Sequence, residues 1–180
     1  GYVNSEDTLL FTTQNGISGS FNNTSGTLTL SGSATKANYA TALTSVTYDN
    51  TNDDNPNAAD RTVTFIVNDG DDTSNSVNQT IDFTAVNDAP VISGAGGTTS
   101  YTESASATVV AADIAITDVD DANIESATIQ ISSGYVNSED TLLFSDQNGI
   151  SGLFNNTSGT LTLSGSATKA NYVTALTSVT

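Results

Sequence analysis

Apolar and polar residues alternate along most of this chain, as in strands that lay one face on a core. The alternating runs are rich in Thr, Val and Ile, which favour strands. Turn signals containing Gly, Asn and Asp separate the runs at intervals of roughly ten residues, the spacing of an all-β sandwich. The clearest runs are 27–32, 61–68, 78–86 and 125–132.

One segment departs from the two-residue period. Between Lys36 and Val46, the apolar residues Tyr39, Leu43 and Val46 recur at helical spacing. We predict a short helix there, with Tyr39 and Leu43 facing the core. The same helix is expected at residues 169–179.

That second helix is expected because the chain repeats itself. Residues 1–47 return as residues 134–180, with an offset of 133. The positions that differ are Thr12 and Ser145, Thr13 and Asp146, Ser20 and Leu153, and Ala40 and Val173. Near-identity over this length is typical of tandem arrays.

The segment VNDAP at 86–90 predicts a domain boundary, because Asn and Asp favour turns and Pro breaks a strand ladder. Residues 1–88 then form the C-terminal part of one repeat, and residues 89–180 the N-terminal part of the next. Neither part holds a whole period. We expect each to be completed by strands from a neighbouring molecule or from further chain.

The net charge of the chain excludes some classes of function. Twenty acidic residues stand against three basic ones, for a net charge of −17. Such a field repels nucleic acid and anionic membranes, and the chain has no apolar run long enough for membrane insertion. The absence of His, Cys and Trp removes the commonest general base and the thiol nucleophile, and leaves no sign of a sugar cleft. We expect a protein that is not an enzyme and binds no nucleic acid.

Several acidic loops are candidate calcium sites, because calcium prefers oxygen ligands. Taken singly, an Asp-rich turn is more often only a turn, and a solvated acidic surface explains the charge equally well. Two further loops, 5–7 with its copy 138–140 and 49–60, are expected to be solvated rather than ion-binding. The three stronger groups are Asp118, Asp120 and Asp121; Asn87 and Asp88; and Asp69, Asp71 and Asp72 around Gly70.

The chain resembles a known family at these motifs. Residues 61–92 resemble the last two strands and linker of cadherin repeats, and more closely the cadherin-like tandem repeats of large bacterial surface adhesins of the repeats-in-toxin export class. YTES at 101–104 followed by TDVDD at 117–121 looks like the start of the next repeat. The resemblance covers the whole chain, and VNDAP is its most specific motif.

The resemblance implies an all-β fold of tandem cadherin-like or immunoglobulin-like Greek-key β-sandwiches, with one short helix per repeat. It also implies calcium at the interdomain linker. Animal cadherins have a longer Asp-x-Asn-Asp-Asn linker, and Ala85 and Val86 stand here where ligands are found in that family, so one or two ions are expected. The implied ligands are Asn87, Asp88, Glu103, Asp118 and Asp120, with Asp69 and Asp121 as further candidates.

The function implied is that of a calcium-stiffened stalk repeat in a secreted adhesin on the bacterial cell surface, serving cell adhesion or biofilm formation. Its partners are neighbouring repeats of the same chain. The alternative is a self-assembling extracellular filament or surface layer, in which copies form a homo-oligomer by strand exchange. Sugar binding through calcium is a third possibility, against which the missing Trp argues.

Overall fold

The computed structural model describes all 180 residues, Gly1–Thr180. The chain divides into two compact units, unit 1 (Gly1–Asn87) and unit 2 (Asp88–Thr180), and the division falls within the VNDAP segment. Both consist mainly of short strands, with one short helix each. The predicted all-β class is confirmed, whereas the Greek-key sandwich arrangement remains a prediction.

Unit 1 contains three separate antiparallel strand pairs and one helix. The pairs are β1 with β4, β2 with β3 and β5 with β6. The element bounds are β1 (Asp7–Leu10), β2 (Ser18–Asn22), β3 (Thr27–Ser31), α1 (Lys36–Thr44), β4 (Thr47–Asn50), β5 (Arg61–Phe65) and β6 (Val77–Ile81).

Unit 2 contains a three-stranded antiparallel sheet, a two-stranded one and a helix. The larger sheet has the order β10-β11-β9, and β7 pairs with β8. Leu143 and Thr180 also exchange two backbone hydrogen bonds, of 2.7 and 3.1 Å. The bounds are β7 (Val91–Ser93), β8 (Ala115–Thr117), β9 (Asn123–Gln130), β10 (Ser151–Asn155), β11 (Thr160–Thr168) and α2 (Lys169–Leu176).

The predicted helix is confirmed in both copies. Each begins after a threonine N-cap whose side chain accepts a backbone N–H bond, Thr35 for α1 and Thr168 for α2. The tyrosine of each helix donates its hydroxyl to a glycine carbonyl seven residues earlier, at 2.7 Å in α1 and 2.8 Å in α2. Neither helix has the length and apolar character that crossing a membrane requires.

The repeated sequence is buried to different extents in the two units. In unit 2, nine apolar side chains of the repeat form a buried core, but only two of their equivalents, Ile17 and Ala42, are fully buried in unit 1. Tyr39 and Leu43, predicted to face a core, are half-buried in unit 1, and their copies are fully buried in unit 2. The nine are Leu142, Ile150, Leu161, Leu163, Ala167, Tyr172, Ala175, Leu176 and Val179.

The difference cannot come from the four substitutions, since none of them falls among these nine positions. What differs is the chain around the repeat, which is residues 48–87 in unit 1 and residues 88–133 in unit 2. Isoleucines of β8 and β9, among them Ile116, Ile124 and Ile129, pack against the core of unit 2. The same sequence therefore has a closed core only where these strands cover it.

Strand length changes for the same reason. Residues 27–35 and 160–168 are identical, yet β3 has five residues and β11 has nine. β9 extends the pairing of β11 to Thr168, with a register shift between Ser164 and Ala167. Gly165 lies within this irregularity, with a φ of +136°, and a Cβ there would lie 2.2 Å from the carbonyl oxygen of Gly149.

The unequal burial makes a matched pair of substitutions informative. Leu163→Ala should lower the free energy of unfolding of unit 2 by about 3 kcal/mol, because it leaves a cavity in a closed core. Leu30→Ala, the same change at the half-buried equivalent in unit 1, should cost about 1 kcal/mol. Hydrogen exchange of amides in β9 and in β5, whose sequences are unique, would report each unit separately. Equal losses would contradict the difference in core closure.

Candidate metal centre

Three carboxylates converge on the loop between β8 and β9. Asp118, Asp120 and Asp121 each place one carboxylate oxygen within 4.8 Å of the others. Asp118 and Asp120 are half-buried, and Asp121 is exposed. This group has the donor atoms and the spacing to hold a metal ion, although exposed acidic groups also occur without one.

Backbone N–H groups set the shape of this loop. Asp118 Oδ1 accepts from the N–H of Asp120 at 3.3 Å and from that of Asp121 at 2.9 Å. The N–H of Asp88 donates to Asp120 Oδ2 at 2.9 Å. The other oxygen, Asp120 Oδ1, is buried and accepts no hydrogen bond within the protein. Buried polar atoms usually have a partner, so a cation in this loop would satisfy this oxygen.

The surroundings keep Asp118 ionised. The backbone N–H of Asp121 is the main cause of a lowered pKa for Asp118; partial desolvation opposes it, and the charge of Lys169 contributes in the same sense as the N–H. An ionised carboxylate is the form that binds a metal. Asp118 is therefore in the protonation state that cation binding requires.

Lys169 is a cation already present beside the loop. Its Nζ donates to the carbonyl oxygens of Asp118, at 2.7 Å, and of Asp121. The lysine therefore places a positive charge beside the three carboxylates.

The other residues of the predicted ligand set lie outside this carboxylate group. Asp88 adjoins it, because its backbone N–H donates to Asp120 Oδ2. Glu103 is exposed in a turn of unit 2, outside the three-carboxylate group. Asn87 is the last residue of unit 1. The structure thus gathers only Asp118, Asp120 and Asp121 as a carboxylate group.

Asp69 acts as a turn residue in unit 1. Its Oδ1 accepts from the N–H groups of Asp72 at 2.9 Å and Asp71 at 3.1 Å, and these bonds lower its pKa. The neighbouring Gly70 has a φ of +105°, which suits the tight turn. Asp71 and Asp72 take part in this turn through their backbone N–H groups. The three side chains do not form a carboxylate group like that of unit 2.

The expectation of a solvated loop at residues 5–7 is wrong for Asp7. Its side chain is 4% exposed and pairs with Arg61, which is 3% exposed, at 3.1 Å from Nε to each carboxylate oxygen. Tyr48, at 2.5 Å, and Asn50, at 2.8 Å, both donate to Asp7 Oδ1. The basic partner lies 54 residues away in the chain, so no local pattern in the sequence pointed to this pair.

Burial and hydrogen bonding act in opposite senses on Asp7. Burial alone would raise the pKa of its carboxyl, but bonds from Tyr48, the N–H of Val3, Asn50 and Arg61 together lower it. The Arg61 guanidinium also lies 4.4 Å from the centre of the Phe83 ring. Asp7 is therefore an ionised member of a structural network that joins β1, β4 and β5.

Comparison of the chain with protein-family models, with curated proteins and with solved structures finds no match. The resemblance to cadherin-like repeats consequently rests on the motifs quoted above. The features of the chain that bear on its function are the duplication and the loop between β8 and β9.

The network around Asp7 predicts an acid-sensitive unit 1. The lowered pKa means that its stabilisation is fully present above the ordinary Asp value near 4, and is lost as the pH falls through the lower folded-state value. Asp7→Asn should lower the free energy of unfolding of unit 1 by about 3 kcal/mol at neutral pH, because it leaves the buried Arg61 charge without its carboxylate partner.

Asp140→Asn is the matched control. Asp140 occupies the same position in the repeat and accepts the N–H of Val136 at 2.7 Å, but unit 2 contains no counterpart of Arg61. Asp140→Asn should lower the free energy of unfolding of unit 2 by less than about 1 kcal/mol. Denaturant unfolding followed by hydrogen exchange between pH 3 and pH 7 measures the loss of stability in both variants. A similar cost at the two positions would show that the ion pair is not the cause.

Proposed function

We propose that this chain is part of the calcium-binding stalk of a secreted bacterial surface adhesin, in which tandem repeats hold a binding module away from the cell. The observation that carries the proposal is the near-identical copy of residues 1–47 at 134–180. A spacer tolerates the copying of whole segments, since its length and stiffness matter more than any unique surface. The role is mechanical, in cell adhesion or biofilm formation, and not enzymatic.

Calcium is the cation that best fits the donor set. The group between β8 and β9 consists of carboxylates, and the chain has neither His nor Cys to provide a nitrogen or sulfur ligand. Such a hard set suits calcium, whose flexible coordination also admits water. Binding there also offsets the repulsion among carboxylates in a chain of charge −17.

Asp120 connects the ion to the linker. Asp88 immediately follows the last residue of unit 1 and donates its N–H to Asp120 Oδ2. An ion held by Asp120 Oδ1 would fix that carboxylate, and with it the start of unit 2. We propose that calcium stiffens the array in this way, with one or two ions for each linker.

The alternative is self-assembly into an extracellular filament or surface layer. One observation favours it: β3 pairs with β2 on one edge and with no strand on the other. An unpaired edge invites a strand from another copy.

Calcium binding is the first test. Titration of the calcium-free chain by calorimetry should show saturable binding, and excess calcium should stabilise unit 2 by about 2.7 kcal/mol at a hundredfold excess over the dissociation constant. Asp120→Asn should weaken binding at least tenfold, because it removes the charge of the carboxylate whose Oδ1 lacks a partner. Asp82→Asn, the same charge change at an exposed residue outside the loop, should leave the affinity unaltered. Equal effects of the two substitutions would mean that calcium only screens the overall charge.

The stiffening role requires a separate measurement. Small-angle scattering of the full chain should give a narrower distribution of maximum dimensions with calcium than with chelator, because a fixed linker samples fewer conformations. The Asp120→Asn variant should give the broader distribution under both conditions. Superimposable curves for the unaltered chain would refute the stalk mechanism even if calcium binds.

A further inference from the structure

Lys169 reaches the loop between β8 and β9 (residues 118–122) from a position 51 residues later than Asp118 in the chain. It is the first residue of α2, and Thr168 before it is both the N-cap of that helix and the last residue of β11. Thr168 pairs with Asn123, the first residue of β9. The strand pairing therefore brings Lys169 to the point where the loop ends.

Lys169 is bonded to the backbone of the loop at both of its ends. Its Nζ donates to the carbonyl oxygen of Asp118, directly after β8, at 2.7 Å, and to that of Asp121. Its own N–H donates to the carbonyl of Ala122, directly before β9, at 3.4 Å. All the hydrogen bonds of the ammonium group go to carbonyl oxygens, and it forms no salt bridge. The lysine thus holds the backbone of the loop and leaves its carboxylates available to an ion.

The backbone that Lys169 holds also orients the carboxylates. Asp118 Oδ1 accepts the N–H groups of Asp120 and Asp121, so the place of this carboxylate depends on the conformation of the loop. The three carboxylate groups lie within 4.8 Å of one another, and ionised carboxylates at such distances repel. The bonds from Lys169 to the first and fourth residues of the loop oppose the opening that this repulsion favours.

Lys169 acts on a bound cation in two opposite senses. Its charge repels the ion, but the side chain is only half-buried, so solvent and salt screen this repulsion. Its hydrogen bonds hold the loop in one conformation before the ion arrives, so less conformational entropy is lost on binding. Groups that hold metal ligands in place raise the metal affinity by roughly tenfold to a hundredfold. The sign of the change on removing Lys169 shows which effect is larger.

We propose that Lys169 is a positioning residue for the calcium site, and that it raises the calcium affinity although it is itself a cation. It acts through the carbonyls of the loop, which place the carboxylates of Asp118, Asp120 and Asp121 for the ion. This inference rests on the proposed calcium-binding function. Because Lys169 also begins α2, the site is coupled to the helix that packs in the core of unit 2.

Lys169→Met separates the two effects, because methionine keeps an apolar stem and removes both the charge and the Nζ donors. Titration by calorimetry should show a calcium affinity at least roughly tenfold lower than that of the unaltered chain. Removal of a merely repulsive charge would raise the affinity instead. The ratio of the two affinities should be the same at low and high salt, since salt screens charge and leaves the geometry of the loop unchanged.

Hydrogen exchange in the absence of calcium tests the positioning directly. In the calcium-free Lys169→Met variant, the amides of Asp120 and Asp121, which donate to Asp118, should lose their protection. The amides of β9 should keep theirs, because the core of unit 2 remains closed. An equal loss of protection in β9 would show that the substitution destabilises the whole unit, and would overturn a specific role in the loop.

Lys36→Met is the matched control. Lys36 occupies the same position in the repeat and is exposed in this chain, so the variant removes the same charge and should leave both the calcium affinity and the exchange of the loop unaltered. Lys169→Arg keeps the charge and N–H donors, and its calcium affinity should be closer to that of the unaltered chain than that of Lys169→Met is.

Two further outcomes distinguish this inference from the function on which it rests. A Lys169→Met variant that binds calcium as tightly as the unaltered chain, or more tightly, would overturn the role of Lys169 and leave the calcium site standing. An unaltered chain that binds no calcium would refute the proposed function, and the role of Lys169 with it.

Discussion

The packing of β8 and β9 over the repeated segment is the interaction on which most of the structure depends. Where these strands are present, Leu161, Leu163 and Tyr172 are buried, and β11 runs for nine residues. Where they are absent, the same residues remain half-exposed, and β3 ends after five. A strand with two paired edges satisfies all of its backbone groups and buries one face, whereas a strand with one neighbour leaves a row of donors and acceptors to solvent. Core closure in this protein is thus a property of the combination of segments and not of the repeat alone.

Each unit also holds a polar network that the other lacks. Unit 1 buries the pair of Asp7 and Arg61, to which β4 and β5 contribute, and unit 2 ties Lys169 to the loop between β8 and β9. Two of the three basic residues are used in this way, in a chain with twenty acidic ones. Cations are scarce in such a molecule, and each of these two sits where several oxygens converge. The proposed calcium ion would be a further cation among converging oxygens, and it would bind Asp120, whose buried Oδ1 has no partner in the protein.

The proposed stalk function follows from the duplication of residues 1–47. The two units share this segment but differ in how far its apolar side chains are buried. In an array, the strands that complete one body can come from the same chain or from a neighbour, and the chemistry of the edge is identical in both cases. Calcium acts on a different element, the loop before β9, so stiffening and assembly are separable by experiment.

The sequence by itself determined the elements whose causes are local. Alternation in TLTLS predicted a strand, the spacing of Tyr39, Leu43 and Val46 predicted the helix, and the Asp-rich loop after an apolar run indicated a group of carboxylates. Only the tertiary structure decided which acidic residues meet. Asp7 was expected in a solvated loop and is buried against Arg61, and Asp69 closes a turn through backbone bonds. The burial of Tyr172 but not Tyr39 was equally beyond the sequence, because identical residues acquire different surroundings only when distant strands arrive, and no local pattern records that arrival.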